Sequence, residues 1–571
     1  MPGLTPEEVL RILYALPEDV EDSDIDVDSD DDSESPNSSQ ILDENSDNDI
    51  VSNEDNCFNL TIDTSEIWNM SPCQVSVSDS TPETAAATFS SSEKMWNENI
   101  SYFENRPLKL EESAENIGNF SKSDQEIKYF ESIFTEELLL HICNQTNLYA
   151  RQEWCVVRSG NKTTKVSSNW QDITVPELKA FLGMLILMGV HQLPQLGNYW
   201  ISDPILGVTA ISSVMKKLRY KKIVENLHCN DNSTCVKKGK PGYDKLHKIR
   251  PVIRAISNKL CKVYKSSSVL AVGECMVAFK GRSTLKQYMP MKPVKRGYKV
   301  WYLADASTEF IINFDIYTGK RDTNDTSEFT LGEEVVLTLT KAMDGSKRLV
   351  AFDNYFTTVR IMEELQSHGL YGIGTVRPNR KDLPDMLIKN SKLSRGEFKF
   401  AARSCVAAVK WQDSKPVCIL SNYHNPKHVT TVLRKNKDGS RSEVFCPLAV
   451  AEYNKIMGGV DRFDQLRERY AVGRRSWKWW RRLFFFLVDL AVVNSYVMWK
   501  LQKTEADQLT FRLHLARQLI SGFSSRKRRG RPVHFQTSKR SVSGVPDEVP
   551  LEKVGIKLPY KRYNKQKMPP M

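Results

Sequence analysis

Three aspartates stand where a chain could hold a pair of metal ions against a phosphodiester. Asp353 ends the apolar run Leu349-Val350-Ala351-Phe352, which reads as a buried strand, and α/β folds place ligand sites at strand ends. Asp461 and Asp464 follow Met457-Gly458-Gly459-Val460 and lie three residues apart, which on a helix puts both on one face. Two-metal phosphoryl transfer needs carboxylates that converge from separate elements. They hold the ions roughly 3.5–4 Å apart, one activating the attacking oxygen and the other the leaving one. Spacing alone equally allows a plainer reading, with Asp353 capping the next helix and the pair solvated. His228, Cys229 and Cys235 come nearest to a second ligand cluster. Zinc is not expected there, because no second thiol pair accompanies them and no two cysteines have Cys-x-x-Cys spacing.

The elements that must position these acids change character along the chain. Helical patterns start near residue 133 and recur over 176–188, 215–228 and 245–264, the last interrupted at Pro251. The period then shifts to alternation over 269–279, 298–305 and 310–317. On the first of these strands Ala271, Gly273, Cys275 and Val277 share one face and Glu274 projects from the other. A helix over 327–343, the strand ending at Asp353 and a helix over 357–368 complete an α/β pattern. Residues 378–450 are rich in Lys and Asn, with strand-like pieces at 407–411 and 417–420, and read as an inserted subdomain. Helices are expected again over 449–466 and 477–501. The apolar stretch 483–499 carries Asp489, Asn494 and Ser495, so it reads as a buried soluble helix, and no membrane partner is expected.

Several separated strings resemble the piggyBac family of transposases and their domesticated derivatives. They are Phe279-Lys280-Gly281-Arg282, Lys286-Gln287-Tyr288-Met289-Pro290, Lys292-Pro293 and Arg296-Gly297-Tyr298-Lys299. Further along come Phe352-Asp353-Asn354-Tyr355-Phe356-Thr357, Gly374-Thr375-Val376-Arg377, Asn379-Arg380 and Met457-Gly458-Gly459-Val460-Asp461 with Asp464. The resemblance implies an RNase H-like catalytic core with an inserted subdomain, flanked by an all-helical dimerisation and DNA-binding domain. In these terms 1–125 is a disordered acidic region and 126–262 the first helical part. The core occupies 263–378 and 448–463 around an insertion at 379–447. A second helical part spans 464–523, and a basic tail 524–571.

The chemistry implied is Mg²⁺-dependent excision and insertion at TTAA targets. Asp353 then matches the second catalytic aspartate, Asp461 the third and Asp464 an accessory fourth metal ligand. The first falls on Gly273, so magnesium binding and strand transfer are expected to be weak or lost. A displaced acid, Asp305 or Glu274, is the competing way to complete the site. The family's cysteine-rich zinc module has no counterpart, since nothing after Cys446 can supply a thiolate.

Charge points to a polyanion. Residues 1–56 hold nineteen Asp and Glu against Arg11, a net of −18, while the whole chain is +10. The remainder is therefore +28, a basic body with an acidic arm. Lys280, Arg282, Lys292, Lys295 and Arg296 give the catalytic sheet a basic edge. Arg474, Arg475, Trp477 and Lys478 interleave cations with indoles, which suits backbone contact and base stacking. Arg526, Lys527, Arg528, Arg529 and Arg531 resemble a nuclear-import signal or a minor-groove hook. The partners expected are double-stranded DNA, a second copy in a homodimer, and chromatin proteins through the acidic arm. The nucleus is the expected location. A protein-interaction scaffold is the rival reading.

Overall fold

The computed structural model describes residues 95–104, 118, 120–159, 170–319, 328–389, 392–436, 439–473, 476–503 and 507–525. The acidic region 1–56, the basic tail from Arg526 onward, and Arg474 and Arg475 lie outside the described residues.

Helices α1 (Glu126–Ile133), α2 (Glu136–Ser159), α3 (Val175–Val190), α4 (Lys217–Asn226) and α5 (Arg250–Val263) come first. Pro251 does not interrupt a helix, as the sequence suggested, but stands in the first turn of α5. Its missing N–H has no intrahelical partner to lose there.

Nine strands then build one sheet. They are β1 (Val269–Ala278), β2 (Gln287–Tyr288), β3 (Arg296–Asp305), β4 (Ile311–Ile316), β5 (Leu349–Phe352), β6 (Tyr371–Thr375), β7 (Phe398–Arg403), β8 (Val406–Gln412) and β9 (Pro416–Ser421). β1 is central: it pairs antiparallel with β3 and parallel with β5, and β5 pairs parallel with β6. Helices α6 (Leu331–Thr340) and α7 (Val359–Ser367) flank β5 in sequence, as a parallel crossover requires. The helix expected over 327–343 is thus shorter, closing in a 3₁₀ turn at Lys341–Met343.

Three expectations need correction. The segment 379–447 is not a separate insertion throughout, because β7–β9 join the central sheet through β6 and β9. Only β10 (Val429–Lys435) and β11 (Arg441–Pro447) form a sheet of their own. Edge-to-edge strand pairing leaves no local mark in composition, so the join was invisible. Second, residues 95–104, placed in the disordered region, are folded onto that sheet. Asn97 bridges Ala402, while Ile100 and Phe103 are buried with Ala402 and Ala407. A few apolar residues suffice when the surface they cover is supplied from elsewhere.

Third, the helix expected over 449–466 is two helices, α8 (Leu448–Ile456) and α9 (Gly459–Arg469), broken at Met457-Gly458. The break lets α9 come down on the sheet: a Cβ at Gly459 would lie 3.2 Å from the Ala306 Cα. Next come α10 (Trp479–Gln502) and α11 (Gln508–Ile520). Helix α10 is long and apolar enough to cross a membrane, but 94% of its apolar window is buried within the fold. Its Asn494 takes up both free backbone groups of Ile311 at 2.9 Å, beside the bulge where β4 leaves register with β3.

Candidate functional site

The parallel register sets Val272 beside Phe352, so the next residues along, Gly273 in the middle of β1 and Asp353 at the carboxyl end of β5, stand at the same level. Gly273 is buried and faces α9. A Cβ there would meet the Val460 side chain at 3.0–3.1 Å. The place expected to offer a carboxylate therefore presents a hydrogen, with the Val460 side chain packed against it. Glu274 points the other way, as alternation required. Its carboxylate pairs with Lys299 at 2.5 Å and Lys292 at 3.6 Å.

Asp353 is half-buried at the strand tip. Its Oδ1 accepts the Tyr355 N–H at 2.8 Å, and its carbonyl accepts the Thr357 hydroxyl at 2.8 Å. Asp353 thus braces the loop after the strand and does not cap the next helix, whose N-cap is Thr358. Burial pushes its carboxyl above the usual range and the charge of Glu274 adds to this, while Lys292 and Lys299 work against it. Asp461 is exposed in the first turn of α9. Asp464, one turn later, accepts from Arg467 Nε at 3.2 Å. Burial raises Asp464 to about 6 in spite of that guanidinium, with Glu468 and Asp461 adding to the shift.

Neither displaced acid is free to take the vacant role. Asp305 is fully buried and pairs in register with Leu270, three residues before Gly273 on β1. It accepts from the Tyr264 hydroxyl, the Ser267 N–H and hydroxyl, and the Ser307 N–H. Glu274 is committed to its two lysines.

The donor set therefore does not fit the magnesium pair that the resemblance implies. Position 273 has no side-chain oxygen, Asp464 is held by Arg467, and Asp461 is out in solvent. Among the described residues no three His, Cys, Asp or Glu side chains gather as a metal ion needs. Around the other cluster, His228 stacks on Tyr149 with ring centroids 3.5 Å apart. Burial, with Lys248, Lys478 and Arg481 nearby, pushes it down to about 3. Cys229 is buried and Cys235 exposed.

Basic residues cluster at the end of β1. Lys280, Arg282, Lys295 and Arg296 are exposed, and Lys292 is partly so. Arg482 Nε donates to the Ala278 carbonyl at 2.9 Å, tying the first turn of α10 to this edge. Trp477, 61% exposed, and half-buried Lys478 precede that turn, while Trp480 and Phe484 are buried. Sequence reasoning assigned no role to Arg377, Arg380, Lys299 or Arg467. Arg377 and Arg380 hold Asn354 and Tyr355 just after Asp353. Lys299 lies over the Tyr355 ring at 4.6 Å. The Asp464-x-x-Arg467 spacing was a readable sign of an i,i+3 ion pair.

Similarity to known proteins agrees with this architecture. The human PiggyBac transposable element-derived protein 3 is 28% identical over 357 residues, which cover 61% of this chain and 58% of that protein. The human PiggyBac transposable element-derived protein 2 is 28% identical over 401 residues, 68% of this chain and 64% of that protein. The chain thus spans about three fifths of the length of these relatives. A cryo-EM structure described as a piggyBac transposase synaptic complex with hairpin DNA shares the fold. Its TM-score is 0.62 at 24% identity, over 72% of this chain and 83% of that one. The Transposase IS4 family model matches residues 125–496, well over half the sequence. The chain belongs to that transposase family, with its similarities among the piggyBac-type members.

Proposed function

We propose that this protein is a nuclear, piggyBac-derived duplex-DNA-binding protein whose RNase H-like core no longer catalyses transposition. The sheet order β4-β3-β1-β5-β6, three antiparallel strands followed by two parallel ones, supports that reading of the core. The observation that carries it is Gly273: where the resemblance puts a first metal ligand the chain has no side-chain oxygen, and a Cβ there would lie 3.0–3.1 Å from the Val460 side chain. The exposed cations around β1 and the start of α10 support the DNA-binding half, as does the DNA complex formed by the structural neighbour. Import through the basic tail and self-association as a homodimer belong to the same reading.

The test uses purified full-length protein. With Mg²⁺ and TTAA-flanked DNA it should show no nicking or joining above that of Asp353→Asn, a variant that keeps the Tyr355 N–H acceptor. Activity that Asp353→Asn abolishes would sink the inactivity claim. Duplex affinity measured by anisotropy should fall steeply with salt, by about 0.9 log unit per log unit of salt for each phosphate contact. Absent or salt-insensitive binding would sink the DNA claim.

A further inference from the structure

We propose that the hairpin between β2 and β3 drives Met291 between two base pairs of bound duplex DNA, unstacking one step and kinking the helix. The inference rests on the duplex-binding reading above and names how that surface engages its ligand.

The hairpin is built to project a side chain. Gln287 and Tyr288 pair with Gly297 and Arg296. The loop closes through Met289 N–H to the Lys295 carbonyl at 2.8 Å and Lys292 N–H to the Met289 carbonyl at 3.2 Å. Pro290 and Met291 are the corner residues of that inner turn. Proline at the first corner fixes its own φ, so little conformational freedom is left to lose on binding. Met291 is 94% exposed, more than any other large hydrophobic among the described residues, and Tyr288 is 61% exposed. The Arg296 guanidinium lies over the Tyr288 ring at 5.3 Å.

The base of the hairpin is braced rather than loose. Lys286 Nζ donates to the Gly281 carbonyl at 2.7 Å, and Leu285 is buried beneath it. Lys292 Nζ reaches the Glu274 carbonyl at 3.3 Å, which ties the turn to the strand beside Asp353. A rigid mount is what a wedge needs, because a mobile tip would yield before the bases do.

Charge selects the occupant. Lys292, Lys295 and Arg296 lie on the hairpin, and Lys280 and Arg282 follow Phe279, whose N–H donates to the Arg296 carbonyl at 3.3 Å. Four exposed cations on the hairpin and at its foot are a poor match for an apolar protein groove. They match the phosphates of a duplex in which something apolar must be buried. Undistorted duplex would satisfy the cations and leave Met291 in water. An opened base step satisfies both, and methionine is among the side chains that proteins insert in this way.

The experiment uses full-length protein and duplexes carrying 2-aminopurine scanned across a central TTAA. Saturating wild-type protein should raise the emission at one step. It should also bind a duplex with a mismatched pair there about tenfold more tightly than the paired duplex, because the step is already open. Met291→Ser should abolish the emission rise and bring the affinity ratio to about one, with the salt slope unchanged. Met291→Leu should retain both signals. Met291 is exposed, so equal melting temperatures for the three proteins will show that the fold is intact. Steep salt-dependent binding with flat emission in wild type, or signals that persist in Met291→Ser, would overturn the wedge alone. Failure of wild type to bind duplex at all would overturn the DNA-binding reading beneath it.

Discussion

Gly273 carries more consequence than any other residue, and its effect is steric as well as chemical. A Cβ at this position would sit 3.0–3.1 Å from Val460, tighter than ordinary van der Waals contact. Gly273→Ala should therefore destabilise the protein, by about 1 kcal/mol after the gain from restricting the unfolded chain is subtracted. The same substitution in a Val460→Ala background should cost clearly less, since two of the three close atoms are gone and only the Cβ at 3.1 Å remains. Urea unfolding of the four proteins in this cycle measures the coupling. A stabilising Gly273→Ala would show that α9 does not press on the strand. That position 273 carries no carboxylate is plain in the sequence, and that one belongs there is what the resemblance implies, with Glu274 marking the register. The valine that fills the space was not, since it lies far along the chain and meets Gly273 only through tertiary packing.

At the scale of elements, β1 was readable because alternation and burial agree along it. Glu274 faces its lysines and Gly273 faces α9, as the period of two demands. The boundary near 457 was not read, because apolar periodicity runs through Met457-Gly458-Gly459 without a gap. Helix α10 shows how a polar residue in an apolar stretch gains meaning from its neighbour. Asn494 is fully buried and bonds both the N–H and the carbonyl of Ile311. Asn494→Ala leaves two buried backbone groups unpaired and should cost about 2–3 kcal/mol. Amide exchange should then rise first at Ile311 and along β4. Uniform loss of protection across the sheet, with no excess at β4, would contradict this assignment.

For the molecule as a whole, burial raises the carboxyls of Asp353, Asp464 and Asp489, the last two to about 6. Arg512, 3.7 Å from Asp489, and Arg467 offset this only in part. Between about pH 4, where free carboxyls titrate, and pH 6 the folded chain holds protons that the unfolded chain has released. These groups therefore make stability fall as pH rises through that window and hold it level above it. Relative to Asp464→Asn, wild type should lose stability from pH 4 to 6 and then run parallel. Denaturation midpoints of the two proteins across this range give the answer, and a gap that widens only above pH 7 would exclude Asp464 as its source. That an α/β sheet stands at the centre was legible from the order of strands and helices. Its extent was not, because β7–β9 and residues 95–104 join the sheet through contacts that local sequence cannot announce.

The packing of Val460 against Gly273 also bears on any attempt to install a carboxylate there. Gly273→Asp would place a Cβ 3.0–3.1 Å from the valine, so the new side chain must push its neighbour aside by a few tenths of an ångström before its oxygens could meet a cation. Supplying the ligand and making room for it are therefore two separate requirements, and a designer would have to meet both.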